Sequence, residues 1–132
     1  MNEVKINAPA KVNLFLDIVG RRYDGYHILK TMMHTISLYD VLTLKKADKI
    51  SLSCDKRNLP KGKGNLAFDA AELFCSEINT PGVSIHLKKV IPSGAGLGGG
   101  SSDAAAVLRG LNQLYQTNLP LKKLSEMALK LG

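Results

Sequence analysis

Five glycines lie between Ser93 and Ser102, where the chain reads SGAGLGGGSS directly before a segment with helical spacing of apolar residues. Leu97 is the only large side chain between Ser93 and Gly100, so ligands can approach the backbone amides of this segment closely. Free N–H groups at a helix N-terminus, together with the positive end of the helix dipole, bind phosphates and other anions. The residue types and their spacing therefore predict an anion-binding loop.

Two common phosphate-binding motifs do not match this loop. The Walker sequence GxxxxGK[ST] requires a lysine at the position of Gly100. The dinucleotide-binding pattern GxGxxG is matched by Gly94, Gly96 and Gly99, but no acidic residue follows about 20 positions later to hold a ribose. A glycine turn with a purely structural role remains an alternative, although turning alone does not require five glycines.

Alternating apolar residues predict the strands that position this loop. The predicted strands are KVNLFLDI at 11–18, HTISLYDVLTLKK at 34–46, KISLSC at 49–54 and VSIHLKKVI at 83–91. In the last of these, Val83, Ile85 and Leu87 face inward and His86 faces solvent. RRYDGYH at 21–27 contains an Asp-Gly pair and is predicted to be a hairpin turn or a shaped loop.

Apolar residues at helical spacing predict three helices. Asn65 is the expected N-cap of the first helix, LAFDAAELFCSEI. Ser101 or Ser102 is expected to cap the second, whose apolar stripe comprises Ala104, Leu108, Leu111 and Tyr115. Asn118 is expected to cap the third, with Pro120 in its first turn and an inward face of Leu121, Leu124, Ala128 and Leu131. Strands followed by a helix, a strand and two helices predict an α+β fold, a two-layer sandwich.

Composition limits the class of protein. With 132 residues and 45% hydrophobic content, the chain is predicted to form one domain, residues 1–132. Cys54 and Cys75 lack the spacing of a zinc site or a disulfide framework, and we expect reduced thiols. No signal peptide or long apolar run is present, so a cytoplasmic location is expected. The net charge of +7 favours anionic partners, although most of the basic residues are expected to be solvated.

Two stretches resemble one enzyme family. IPSGAGLGGGSSDAAA at 91–106 is similar to the signature loop of the GHMP kinases, which phosphorylate small molecules with ATP. PAKVNLFLDIVGRRYDGYH at 9–27 resembles the branch of that family that acts on 4-diphosphocytidyl-2-C-methyl-D-erythritol. The resemblance implies an ATP-binding N-terminal domain, of a fold type shared with a ribosomal protein domain. It also implies phosphorylation of the substrate's 2-hydroxyl in non-mevalonate isoprenoid precursor biosynthesis.

The resemblance also implies roles for individual residues. Lys11 would be catalytic, assisting deprotonation of the accepting hydroxyl, and Asn13, Tyr26 and His27 would bind the cytidine diphosphate substrate. Asn65 would approach the adenine, and Ser102 would approach Mg²⁺, with Asp103 a weaker metal candidate. The ATP phosphates would be wrapped by Pro92, Ser93, Gly94, Ala95, Gly96, Leu97, Gly98, Gly99, Gly100, Ser101 and Ser102.

Some alternatives stay open. Without the motif, Lys11 would be an exposed strand lysine, and Tyr26 an aromatic residue packed on the sheet.

The family's C-terminal domain and its aspartate catalytic base are expected to be absent, so the chain alone is expected to transfer phosphate poorly. ATP and a small-molecule substrate are the expected partners, with no nucleic acid and no membrane. Two other functions compete with this one. The chain could be a GHMP kinase of the homoserine or mevalonate type, or a basic non-catalytic domain that binds nucleotides or RNA.

Overall fold

A computed structural model describes residues 2–9, 38–56, 60–62, 64–91 and 99–131. The described strands are β1 (Glu3–Pro9), β2 (Tyr39–Ala47), β3 (Ser51–Cys54) and β4 (Gly82–Lys88). They form a mixed sheet in the order β1-β2-β4-β3. β1 and β4 both pair with β2 in the antiparallel direction, whereas β3 pairs with β4 in the parallel direction. The predicted strand at 11–18 and the turn at 21–27 lie outside the described residues.

The described helices are α1 (Leu66–Ile78), α2 (Gly99–Leu114) and α3 (Leu121–Lys130). Helices α1 and α2 pack on one face of the sheet, and α3 packs against these two helices. Side chains alternate between the two faces of the sheet along each strand. Those on the inner face are almost completely buried in the core and include Leu42, Leu44, Ile85 and Leu87. The opposite face is polar and includes the exposed His86, as predicted. These layers confirm the predicted α+β sandwich.

Helix α1 matches its prediction at both ends. The Asn65 side chain accepts a hydrogen bond from the Ala67 amide at 2.9 Å, as an N-cap does. Asn79 ends the helix in the left-handed conformation, with φ of 64°. Phe74 is fully buried between the helices and the sheet, which explains the inward stripe of this helix.

The predicted starts of the other two helices are wrong. Helix α2 begins at Gly99, so Ser101 and Ser102 lie inside its first turn and do not cap it. Asn118 cannot cap α3 because its φ is 54°, a left-handed conformation, whereas an N-cap residue is extended. Pro120 takes the cap position with φ of −70° and ψ of 157°, and has no side-chain cap bond.

The predicted inward face of α3 also needs correction. Leu121 is 75% exposed, because the helix begins at that residue and its side chain projects away from the sandwich. Leu124 is buried as predicted, and Met127 supplies a second buried contact that was not predicted. No helix in the described parts of the chain combines the length and the apolar character needed to cross a bilayer.

Candidate functional site

Several chain segments meet at one end of the sheet. Pro9, the last residue of β1, pairs with Tyr39, the first residue of β2. β4 ends at the same end of the sheet, and the chain continues to Ile91, directly before the glycine loop. The chain therefore enters the glycine loop at the end of the sheet where β1 ends, with β2 between β1 and β4.

Two helices begin at this same end. A Cβ atom at Gly100 would lie 3.4 Å from the Leu66 side chain, so the first turns of α1 and α2 are in contact. The positive end of each helix dipole lies there. Two positive helix ends at one place favour an anion there, whereas most of the predicted glycine loop lies outside the described residues.

Ser102 connects the start of α2 to β1. Its hydroxyl donates a hydrogen bond to the Pro9 carbonyl at 2.6 Å, and the side chain is 8% exposed. Since the proton is used in this bond, the oxygen lone pairs stay available to a cation or a phosphate-bound water. Lys11, which follows Pro9 by two residues, lies outside the described part of the chain.

Asn65 makes structural hydrogen bonds through both ends of its carboxamide. Its carboxamide oxygen caps α1, and its Nδ2 donates to the Pro60 carbonyl at 3.0 Å. Any contact of Asn65 with adenine would have to be made alongside these two bonds.

A groove of about 550 Å³ opens beside the two helix starts, a volume in the range of small-molecule sites. Apolar side chains form most of its wall, with the Ser101 and Ser102 positions at one side. The lining residues are Pro9, Leu66, Ser101, Ser102, Ala104, Ala105, Ser125, Ala128, Leu129 and Leu131.

A buried charged cluster lies close to the ends of the glycine loop. Lys89 Nζ donates to Asp40 Oδ2 at 2.7 Å and to Asp103 Oδ2 at 3.0 Å. Asp40 Oδ1 accepts the amides of Val90 and Ile91 at 2.7 and 2.8 Å. The three charged residues are 0%, 8% and 2% exposed for Asp40, Lys89 and Asp103 respectively.

The cluster contains two carboxyl groups and one ammonium, so full ionisation would leave a buried net negative charge. Burial disfavours ionisation of Asp40, but hydrogen bonds with Asp103, Lys89 and the two amides outweigh burial and hold its pKa below the usual value. Burial, reinforced by the neighbouring Asp40 carboxylate, raises the pKa of Asp103 to about 8. Burial opposes the charge of Lys89, but its bonds to both carboxyl groups raise its pKa. Asp103 therefore carries the proton at neutral pH, and Asp40 carries the negative charge.

This cluster was missed in the sequence, where Lys88 and Lys89 look like a solvated basic pair. The strand alternation contains the missing signal: Lys89 continues the inward positions Val83, Ile85 and Leu87, and Asp40 precedes the inward Leu42. Asp103 is buried and bonded to Lys89, which disfavours its weaker candidacy as a metal ligand.

Only part of the predicted site lies among the described residues. Gly99, Gly100, Ser101, Ser102 and Asn65 meet at the end of the sheet as described above. The described residues contain no group of three or more His, Cys, Asp or Glu side chains that could hold a metal ion. The remaining predicted positions lie outside the described residues: Lys11, Asn13, Tyr26, His27, Pro92, Ser93, Gly94, Ala95, Gly96, Leu97 and Gly98.

Comparison with known proteins identifies the domain and its relatives. The model of the GHMP kinases N terminal domain matches residues 65–132. A protein named 4-diphosphocytidyl-2-C-methyl-D-erythritol kinase from Clostridium botulinum (strain Loch Maree / Type A3) is 49% identical over 127 residues, which cover 95% of this chain and 45% of the relative. A relative with the same name from Macrococcus caseolyticus is 50% identical over 129 residues, 96% of this chain and 46% of the relative. The chain thus spans about half the length of the curated relatives it matches.

Solved structures agree with this comparison. A crystal structure of 4-(cytidine 5'-diphospho)-2C-methyl-D-erythritol kinase is 32% identical, with a TM-score of 0.51, over 98% of this chain and 46% of that one. Homoserine kinase from Cytophaga hutchinsonii has a TM-score of 0.74 at 20% identity, over 99% of this chain and 41% of that one, and shows the shared fold.

Proposed function

Because this chain belongs to the GHMP kinase family, we propose that residues 1–132 are the ATP-binding N-terminal domain of a small-molecule kinase. The proposed reaction transfers the γ-phosphate of ATP to the 2-hydroxyl of 4-diphosphocytidyl-2-C-methyl-D-erythritol, in the cytoplasm, as a step in isoprenoid precursor biosynthesis. Relatives that are 49% and 50% identical to this chain carry the name of a kinase for this substrate, which supports the choice. The family's C-terminal domain is proposed to complete the active enzyme.

The observation that carries the proposal is the hydrogen bond from Ser102 to the Pro9 carbonyl at 2.6 Å. It joins the helix that follows the glycine loop to the strand end that leads to Lys11. Phosphoryl transfer depends mainly on the positions of the phosphate donor, the acceptor hydroxyl and nearby positive charge. Since two residues of chain span at most about 7 Å, Lys11 cannot be far from Pro9, which supports its assignment near the proposed phosphate site.

Within this scheme, each group has one task. The amides of the glycine loop and the first turn of α2 bind the ATP phosphates, and Lys11 assists deprotonation of the substrate hydroxyl. Ser102 suits Mg²⁺ because a hard cation prefers oxygen ligands and the serine proton is already bonded to Pro9. When bound, Mg²⁺ neutralises phosphate charge.

The cytidine part of the substrate is assigned to residues 13–27. Tyr26 would stack on the base, His27 would hydrogen-bond to its edge, and Asn13 would contact the substrate. Homoserine and mevalonate carry no base to stack, so DGYH favours the cytidyl substrate over those alternatives.

An amide NMR titration of the 132-residue chain tests the proposal. Mg²⁺ with a non-hydrolysable ATP analogue should shift the amides of Gly94 to Ser102, and cytidine diphosphate should then shift those of Tyr26 and His27. A folded spectrum that responds to neither ligand contradicts nucleotide binding by this chain. Binding to RNA with a steep salt dependence would instead favour the nucleic-acid alternative.

A pair of serine variants tests the metal assignment. Ser102→Ala should reduce the gain in nucleotide affinity that Mg²⁺ provides, because the substitution removes the candidate oxygen ligand. Ser76→Ala makes the same change on α1, at an exposed position outside the groove, and should leave that gain intact. An equal Mg²⁺ dependence in both variants excludes Ser102 as a ligand.

A further inference from the structure

The segment that enters the glycine loop is bonded to carboxylates at three consecutive amides. The Lys89 amide donates to Asp55 Oδ1 at 2.8 Å, and the amides of Val90 and Ile91 donate to Asp40 Oδ1. Asp55 directly follows β3 and Asp40 lies in β2, so both anchor points belong to or adjoin the sheet. The backbone is thus fixed up to the residue at which the loop begins.

The segment that leaves the loop has its own buried anchor. Asp103 is the fifth residue of α2, and its side chain is turned inward and bonded to Lys89. Its Oδ1 atom is buried without a hydrogen-bond partner among the described residues. The other oxygen of this carboxyl group, Oδ2, accepts a hydrogen bond from the Lys89 ammonium, and the group also interacts with the neighbouring Asp40 carboxylate.

Lys89 bonds to both anchors through the same ammonium group. We propose that Lys89 is a positioning residue that fixes the two ends of the glycine loop relative to each other, by bridging Asp40 on the entering side and Asp103 on the leaving side. The proposal rests on the function proposed above only for the identity of the ligand. Fixing both ends limits the conformations of the loop, which lowers the entropy cost of ordering it around phosphates.

This task differs from that of a lysine that touches phosphate. Its ammonium is 2.7 Å and 3.0 Å from two carboxyl oxygens and its side chain is 7% exposed, so it acts through the backbone that it holds. Buried ion pairs add little net stability compared with apolar residues of similar volume, and in some proteins they serve to specify one geometry. A specified loop geometry is the benefit we assign to this cluster.

Nucleotide binding tests the proposal in a variant that leaves no buried unpaired charge. Lys89→Met combined with Asp40→Asn removes the ammonium together with its charged partner, and the carboxamide oxygen that replaces the carboxylate can still accept the amides of Val90 and Ile91. We expect this double variant to fold and to bind Mg²⁺ with a non-hydrolysable ATP analogue about tenfold more weakly, measured by calorimetry. The control, Lys88→Met, removes the same charge from an exposed neighbour and should change the affinity by less than about twofold. A folded double variant with the affinity of the Lys88→Met control overturns the proposal.

A second readout needs no ligand. Asp103→Ala cuts the bridge on the leaving side, so the amides of Val90 and Ile91 on the entering side should exchange with solvent about tenfold faster, relative to core amides of α1. Asp103→Asn keeps an acceptor for Lys89 and should restore slow exchange. Unchanged exchange in a folded Asp103→Ala variant contradicts the bridge. If the wild-type chain shows this coupling but binds no nucleotide, the proposed function fails and the bridge stands.

Discussion

Substituting Asp103 by asparagine should remove a pH dependence of stability that the buried carboxyl group creates. Its pKa is raised to about 8 in the folded protein, by burial and by the neighbouring Asp40 carboxylate, whereas an unfolded aspartate has a pKa of about 3.9. Between these two values the folded state keeps a proton that the unfolded state has released. Raising the pH through this window therefore lowers the contribution of Asp103 to the free energy of unfolding.

The magnitude follows from the number of protons involved. One proton changes the free energy of unfolding by about 1.4 kcal/mol per pH unit, so the difference between the variant and the wild type should change by about 2.7 kcal/mol from about pH 5 to pH 7. Urea unfolding followed by circular dichroism measures this difference across the pH range. The free energy of unfolding of the asparagine variant should rise relative to that of the wild type as the pH rises.

A second carboxylate provides the control. A backbone hydrogen bond from Lys89 outweighs desolvation and lowers the pKa of Asp55, so its contribution is complete above the unfolded value and is lost only as the pH falls through the folded one. The stability difference between Asp55→Asn and the wild type should thus be constant over the same pH range. If the Asp103→Asn difference is equally constant, Asp103 is ionised in the folded protein and our assignment of the proton is wrong.

Three further substitutions test the packing around the site, each by urea unfolding. Lys89→Met should destabilise the protein by about 3–5 kcal/mol, because it leaves the Asp40 charge buried without a partner. Adding Asp40→Asn should recover most of this loss of stability. A loss below about 1 kcal/mol in the Lys89→Met variant would show that Asp40 does not need the ammonium. Asn65→Ala removes the cap of α1 and should cost about 1 kcal/mol, whereas an unchanged midpoint would mean that water replaces the cap. Gly110→Ala places a Cβ atom on the Leu44 side chain and should cost about 1–3 kcal/mol despite the better helix propensity of alanine, and a stabilised variant would refute this close contact.

The elements with strong local signals could be predicted from the sequence. Helix α1 has a capping asparagine, a regular apolar stripe and a terminating NTPG segment, and its bounds agree with the prediction. The strands β2, β3 and β4 follow from simple alternation. In each case, the local preference and the tertiary packing favour the same conformation.

The remaining features depend on contacts that the sequence does not display. The start of α2 was placed too late because glycine has a low helix propensity, yet Gly99 and Gly100 are helical beside Leu66. The cluster around Lys89 was missed because its three ionisable residues are separated in the chain and meet only when β2, the end of β4 and α2 pack together. Charged residues at inward strand positions were the one available signal.

The strand order also determines when this sheet can assemble. β2 and β3 are consecutive in the chain and only three residues apart, but β4 lies between them and pairs with both. The described sheet is therefore incomplete until residues 82–88 have been synthesised, and β3 has no strand partner in it before then. Contacts between residues this far apart in sequence slow folding. During synthesis, the backbone groups of β2 that pair with β4 stay exposed until β4 has been made.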